Sequence, residues 1–73
     1  MNLLEAQFGE SYKIIDIEAR WGTKRTLDDL GFEEGKTVKI LKTPYFKENV
    51  VRVAMNSHTV VLAEDEAESI IIE

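Results

Sequence analysis

The spacing of apolar positions divides the chain into short pieces, most of them alternating. In "YKIIDIEA", Ile15, Ile17 and Ala19 share one face at period two, while Ile14 falls on the other with Tyr12 and Asp16. That reads as a strand with apolar residues on both faces at its centre. In "KTVKILK", Val38 and Ile40 point one way and Thr37 and Lys39 the other. "VVRVAM" sets Val51, Val53 and Met55 against Val50, Arg52 and Ala54. "HTVVLA" and "SIIIE" supply two more strands, the last with Ile70 and Ile72 inward. "RWGTKRTLDDLG" breaks the alternation. Leu27 and Leu30 stand three apart, a helical spacing. Thr23 is the expected N-cap, and Gly31 fits the residue after the helix end, where left-handed angles are needed.

Punctuation agrees with this division. Gly9 turns the chain after the apolar opening of Leu3, Leu4 and Phe8. Gly35 closes "FEEG" just before the second strand, where a tight turn calls for positive φ. Pro44 and Asn49 break "TPYFKEN", and "NS" marks a two-residue turn between the third and fourth strands. "EDEAES" has the length of one helical turn. Five short strands and one short helix, lying between the first and second strands, predict a mainly β fold: a small five-stranded barrel over residues 1–73, one domain. Closure of the sheet would remove its edges, with the last strand pairing near the first. Leu27, Leu30, Val38, Ile40, Val53 and Ile72 are the expected core.

Charge sharpens the picture. The chain has 14 acids and 9 bases, for a net charge of −5. Residues 64–73 carry five of the acids and no base, so residues 1–63 carry nine of each and sum to zero. A neutral body with an acidic end argues against binding along a nucleic-acid backbone. With no cysteine, disulfides and thiolate metal sites are excluded. No apolar run is long enough to span or insert into a membrane. A soluble cytoplasmic protein is the expectation.

Catalytic chemistry finds little support in these residues. His58 is the single histidine, and at a strand start it reads as a surface or turn residue. No phosphate-binding glycine loop is present, and Ser57 and Ser69 lack the setting of an activated nucleophile. Glu64, Asp65, Glu66 and Glu68 could attract hard cations, but acids on one short turn diverge, and their ordinary role is to favour the helix N-terminus. The sequence therefore calls for no catalytic residue, no metal ligand and no cofactor. Two stretches suit partner contact instead. In "ARWGTKR", Arg20, Lys24 and Arg25 form a local positive patch around Trp21, and Trp and Arg are common interface anchors. Trp21 is either such an anchor or a lid on one end of the core. In "TPYFKEN", Tyr45 and Phe46 are adjacent, so both cannot easily point inward. Either the loop packs on itself, or at least one ring is exposed or covered by a partner or a second copy of the chain.

Order and spacing of these positions resemble the ferrous-iron transport protein A (FeoA) family over nearly the whole chain. Leu3, Gly9, Ile14 and Ile17 match its opening. Arg25, Leu27, Leu30, Gly31, Phe32, Gly35, Val38 and Ile40 match its centre, and Val51, Val53, Val60, Leu62, Ala67, Ile70 and Ile72 its end. Two loops depart from the family pattern: "FKEN" stands where a Gly-Pro step is common, and "MNSH" where the turn often has a glycine. The resemblance implies an SH3-like barrel. It also implies a non-enzymatic cytosolic accessory of bacterial ferrous-iron uptake, whose partner is the cytosolic domain of the GTP-binding permease FeoB. Alternative homes for such a barrel are a ribosome- or RNA-associated assembly, or an iron-dependent regulator.

Overall fold

The computed structural model describes residues 1–41, 50–55 and 58–73. A 3-10 turn, Leu3–Glu5, precedes strand β1 (Ser11–Ile17), helix α1 (Trp21–Asp29), β2 (Thr37–Ile40), β3 (Val50–Met55), β4 (His58–Ala63), helix α2 (Glu64–Glu68) and β5 (Ile70–Ile72). The strands form one antiparallel sheet in the order β4-β3-β2-β1-β5. The turn between β3 and β4, and the loop holding Tyr45 and Phe46, lie outside the described residues.

Strand β1 is shared between two halves of the sheet. Ser11 to Lys13 pair with β2, and Ile14 to Ile17 pair with β5. A register shift between Ile14 and Asp16 marks the junction. This bulge overturns the simple period-two reading of the strand. Ile14 and Ile17 both point into the core, whereas Ile15 is 42% exposed. One extra residue resets the alternation and bends the strand. The Asp16 carboxylate accepts the Ile17 N–H at 2.8 Å.

A single core joins both ends of the sheet. Val53, Met55 and Leu62 from β3 and β4 share it with Ile14, Ile70 and Ile72 from β1 and β5, with Val38 and Ile40 from β2, and with Leu3, Leu27, Phe32 and Ala67. No backbone ladder joins β4 to β5 among the described residues. Instead α2 connects them, touching β3, β4, β5 and the N-terminal turn. The last strand pairs with the first, as the sequence predicts, while β4 and β5 are linked through this helical turn without pairing to each other. Glu66 caps that turn by accepting the Ala63 N–H at 2.9 Å. The outer edge of β5 is covered in another way: Asn2 bridges to Ile71, and the Ile72 N–H donates to the Met1 carbonyl at 2.7 Å.

Helix α1 begins two residues before Thr23. Its N-cap is Arg20, in extended conformation and without a side-chain cap bond. Its other end follows expectation. The Phe32 N–H donates to the Leu27 carbonyl and the Gly31 N–H to the Asp28 carbonyl, both at 2.9 Å, with Gly31 at φ 100°. This pair of bonds is the Schellman termination, and its usual apolar contact joins the two residues at its ends. Those residues are Leu27 and Phe32, both fully buried. Leu30, expected in the core by its spacing from Leu27, is 37% exposed. The reversal at Gly31 gives the burial to Phe32 instead. Gly35, at φ 89°, then turns the chain into β2, its N–H donating to the Ile14 carbonyl at 2.8 Å.

Candidate functional site

Only Leu27 of α1 is buried, so the helix lies on the surface with most of its side chains free. Residues 21, 24, 25 and 28 follow the i, i+3, i+4, i+7 spacing of one helical face. That face forms one wall of an open groove. Its lining is Trp21, Lys24, Arg25 and Asp28 from α1, Glu33 and Glu34 from the loop after it, with Ile17 and Phe32 beneath. The floor residues belong to the core, which fixes the groove's shape.

Trp21 stands 77% exposed, the most open of the large apolar residues among those described. The Arg25 guanidinium carbon lies 5.7 Å from its ring centroid, one helical turn on. Such a cation–π contact at an exposed site is worth about 0.5–1 kcal/mol. At that exposure Trp21 is not a lid on the core.

Three of the sequence candidates, Trp21, Lys24 and Arg25, come together here. Arg20 is exposed at the helix N-cap, next to Trp21, and does not line the groove. Tyr45 and Phe46 fall outside the described residues. Thr26 and Asp29 are exposed on α1 and also lie outside the groove. Sequence reasoning missed the opposite wall. Asp28, Glu33 and Glu34 make the groove charge-mixed, with three acids to two bases, where a positive patch was expected. Glu33 and Glu34 stand in "FEEG", which begins one residue past the helix-ending Gly31, and only the chain reversal there brings them beside the helix.

That balance has a consequence for phosphate. Carboxylates beside Lys24 and Arg25 oppose the counterion release that drives nucleic-acid binding. Titration with single- or double-stranded RNA at physiological ionic strength should therefore detect no salt-sensitive binding. Micromolar affinity that falls steeply with added salt would contradict this. Elsewhere, His58 is exposed at the start of β4. No group of three or more His, Asp or Glu side chains is placed to hold a metal among the described residues. None of the described helices is long and apolar enough to cross a membrane.

Fold and groove define a class: a small SH3-like β-domain with an open, charge-mixed surface beside its longer helix. The FeoA domain model matches residues 1–73, and the chain belongs to that family. No curated protein matches it by sequence. Among solved structures, the solution structure of a FeoA-like protein from Clostridium acetobutylicum aligns at TM-score 0.86 and 20% identity, over 100% of this chain and 84% of that one. The FeoA protein from Chlorobium tepidum aligns at TM-score 0.85 and 26% identity, over 100% of this chain and 69% of that one. A manganese-dependent transcriptional repressor in complex with manganese contains a similar fold, at TM-score 0.88 and 21% identity. The alignment covers 100% of this chain and 35% of the repressor.

Proposed function

We propose that the protein is a non-enzymatic, cytoplasmic accessory of bacterial ferrous-iron uptake that docks on the cytosolic domain of the permease FeoB. Membership of the FeoA family supports the iron-uptake role and favours it over a regulator's barrel. One observation carries the docking surface: Trp21, 77% exposed with the Arg25 guanidinium beside its ring, lines a groove whose floor is core. An exposed aromatic with an arginine beside it, next to a preformed depression, is the residue pair that commonly anchors interfaces. Lys24 extends that surface, and Arg20 flanks it. Tyr45 and Phe46 join it as contacts on the strength of the sequence. Modulation follows if the domain binds one state of the permease better than another.

Trp21→Ala tests the surface. The ring is mostly solvated, so the thermal midpoint should stay nearly unchanged. Binding to the permease's soluble GTP-binding domain should weaken by ~1 kcal/mol or more, roughly fivefold. A melting curve and a calorimetric titration on each protein read the two effects. Normal folding with undiminished binding would move the interface away from α1.

A further inference from the structure

The two edges of the sheet are treated differently. At β5 the N-terminal segment occupies the edge through Asn2 and Met1. At β4 the described residues place nothing. The peptide groups that face outward there follow from the pairing. The Leu41 N–H donates to the Arg52 carbonyl at 2.9 Å, and Ala54 pairs with Lys39, so Arg52 and Ala54 turn their peptide groups toward β2. Val51, Val53 and Met55 alternate with them and face β4, opposite Leu62, Val60 and His58. Thr59, Val61 and Ala63 therefore present their N–H and C=O groups to the outside. Ala63 is already satisfied: its N–H goes to Glu66, and its carbonyl starts α2 as the N-cap. Among the described residues, what stays open is Thr59 and Val61, one on each side of Val60.

Strand β4 also lacks the devices that protect an edge. It carries no Lys, Arg, Pro or Gly and pairs with β3 through six consecutive residues without a bulge. Val61 is 51% exposed on its outer face.

We propose that β4 pairs with β4 of a second copy of this chain, antiparallel and centred on Val60. In that register Thr59 of each copy lies opposite Val61 of the other. Four backbone hydrogen bonds form, and they use every open group of the described β4 residues in both copies. Side chains agree, since a threonine and a β-branched valine meet on the outer face. Charge agrees as well, although the chain is acidic. The two α2 helices start four residues beyond the centre in opposite directions, roughly 26 Å apart along the strands. That is about three Debye lengths at physiological salt, so their acids do not repel appreciably. None of the β4 residues lines the groove beside α1, so the pairing leaves that surface free and stands independently of its role.

So short a contact belongs at the weak end of protein association. Sedimentation equilibrium should show the mass rising from 8.3 kDa toward twice that value as the wild-type chain is concentrated to about 1 mM. Amide exchange by NMR should show Thr59 and Val61 gaining protection over the same range, while other edge amides do not change. Val61→Pro removes one of the open N–H groups, which the single chain does not use, and edge strands accept proline. It should remain at 8.3 kDa throughout. Val61→Lys, which adds a charge to the edge, should do the same and carries the test if circular dichroism shows the proline variant unfolded. A wild-type chain monomeric at about 1 mM would overturn the proposal. So would association that persists undiminished in the folded variants, or protection that rises at residues other than Thr59 and Val61.

Discussion

Phe32→Ala is expected to destabilise the domain by roughly 3–5 kcal/mol, as deletion of a buried ring usually does. Phe32 is fully buried and is the largest of the described core side chains. It also ends the α1 Schellman motif, where its contact with Leu27 docks the helix. A nine-residue helix has little stability of its own, so losing this anchor frees α1 as well as opening a cavity. A domain of this length has about 4–11 kcal/mol in total, by the usual stability per residue. The loss is therefore a large fraction of the whole. A urea titration followed by circular dichroism should show the midpoint falling steeply or the transition disappearing. A loss below about 1 kcal/mol would mean that the ring is not packed as described. Because Phe32 floors the groove, any failure of this variant to bind a partner would be indirect.

Gly31→Val should cost about 1–3 kcal/mol, with Gly31→Ala near the lower limit. The position combines two obstacles. Its φ of 100° lies where L side chains are strained, and a β-branched side chain tolerates that region least. A Cβ would also lie 3.3 Å from the Met55 Cε, tighter than ordinary contact. The methionine end can shift by a few tenths of an ångström, so the backbone carries most of the penalty. Comparing denaturation midpoints of wild type, Gly31→Ala and Gly31→Val should give a descending series. Equal midpoints for wild type and Gly31→Val would show that α1 does not end in a left-handed residue.

Strand identity and the SH3-like fold were legible because β2 alternates cleanly and β3, β4 and β5 are short runs rich in β-branched residues bounded by turn signals. Their inward residues, such as Val38, Val53, Leu62 and Ile72, are buried as the period demands. The glycines were legible too, since Gly31 and Gly35 hold positive φ at a helix end and a turn. β1 misled because a bulge is one residue long and leaves no mark in a two-residue period. Leu30 misled because helical spacing says nothing about where the helix stops relative to the core. The N-cap misled because that position is Arg20, just before α1 starts at Trp21, and it lacks the side-chain bond that would have marked it. Of the groove, the α1 wall could be read from Trp21, Lys24 and Arg25. The acidic wall depends on the chain reversing at Gly31, which brings Glu33 and Glu34 back beside the helix, and spacing along the sequence does not encode that return.

The N-terminal segment on β5 has an architectural consequence. The Met1 carbonyl is bonded to the Ile72 N–H, and Glu73 exchanges hydrogen bonds with Lys13 at 3.0 Å in both directions. Both ends of the described chain thus emerge side by side on one rim of the molecule. A host protein could lead into the domain and out of it at a single place, with little extra length and no strand displaced. For the same reason the ends could be joined and new ones opened elsewhere. The fold is in effect a closed loop of chain, portable as a unit.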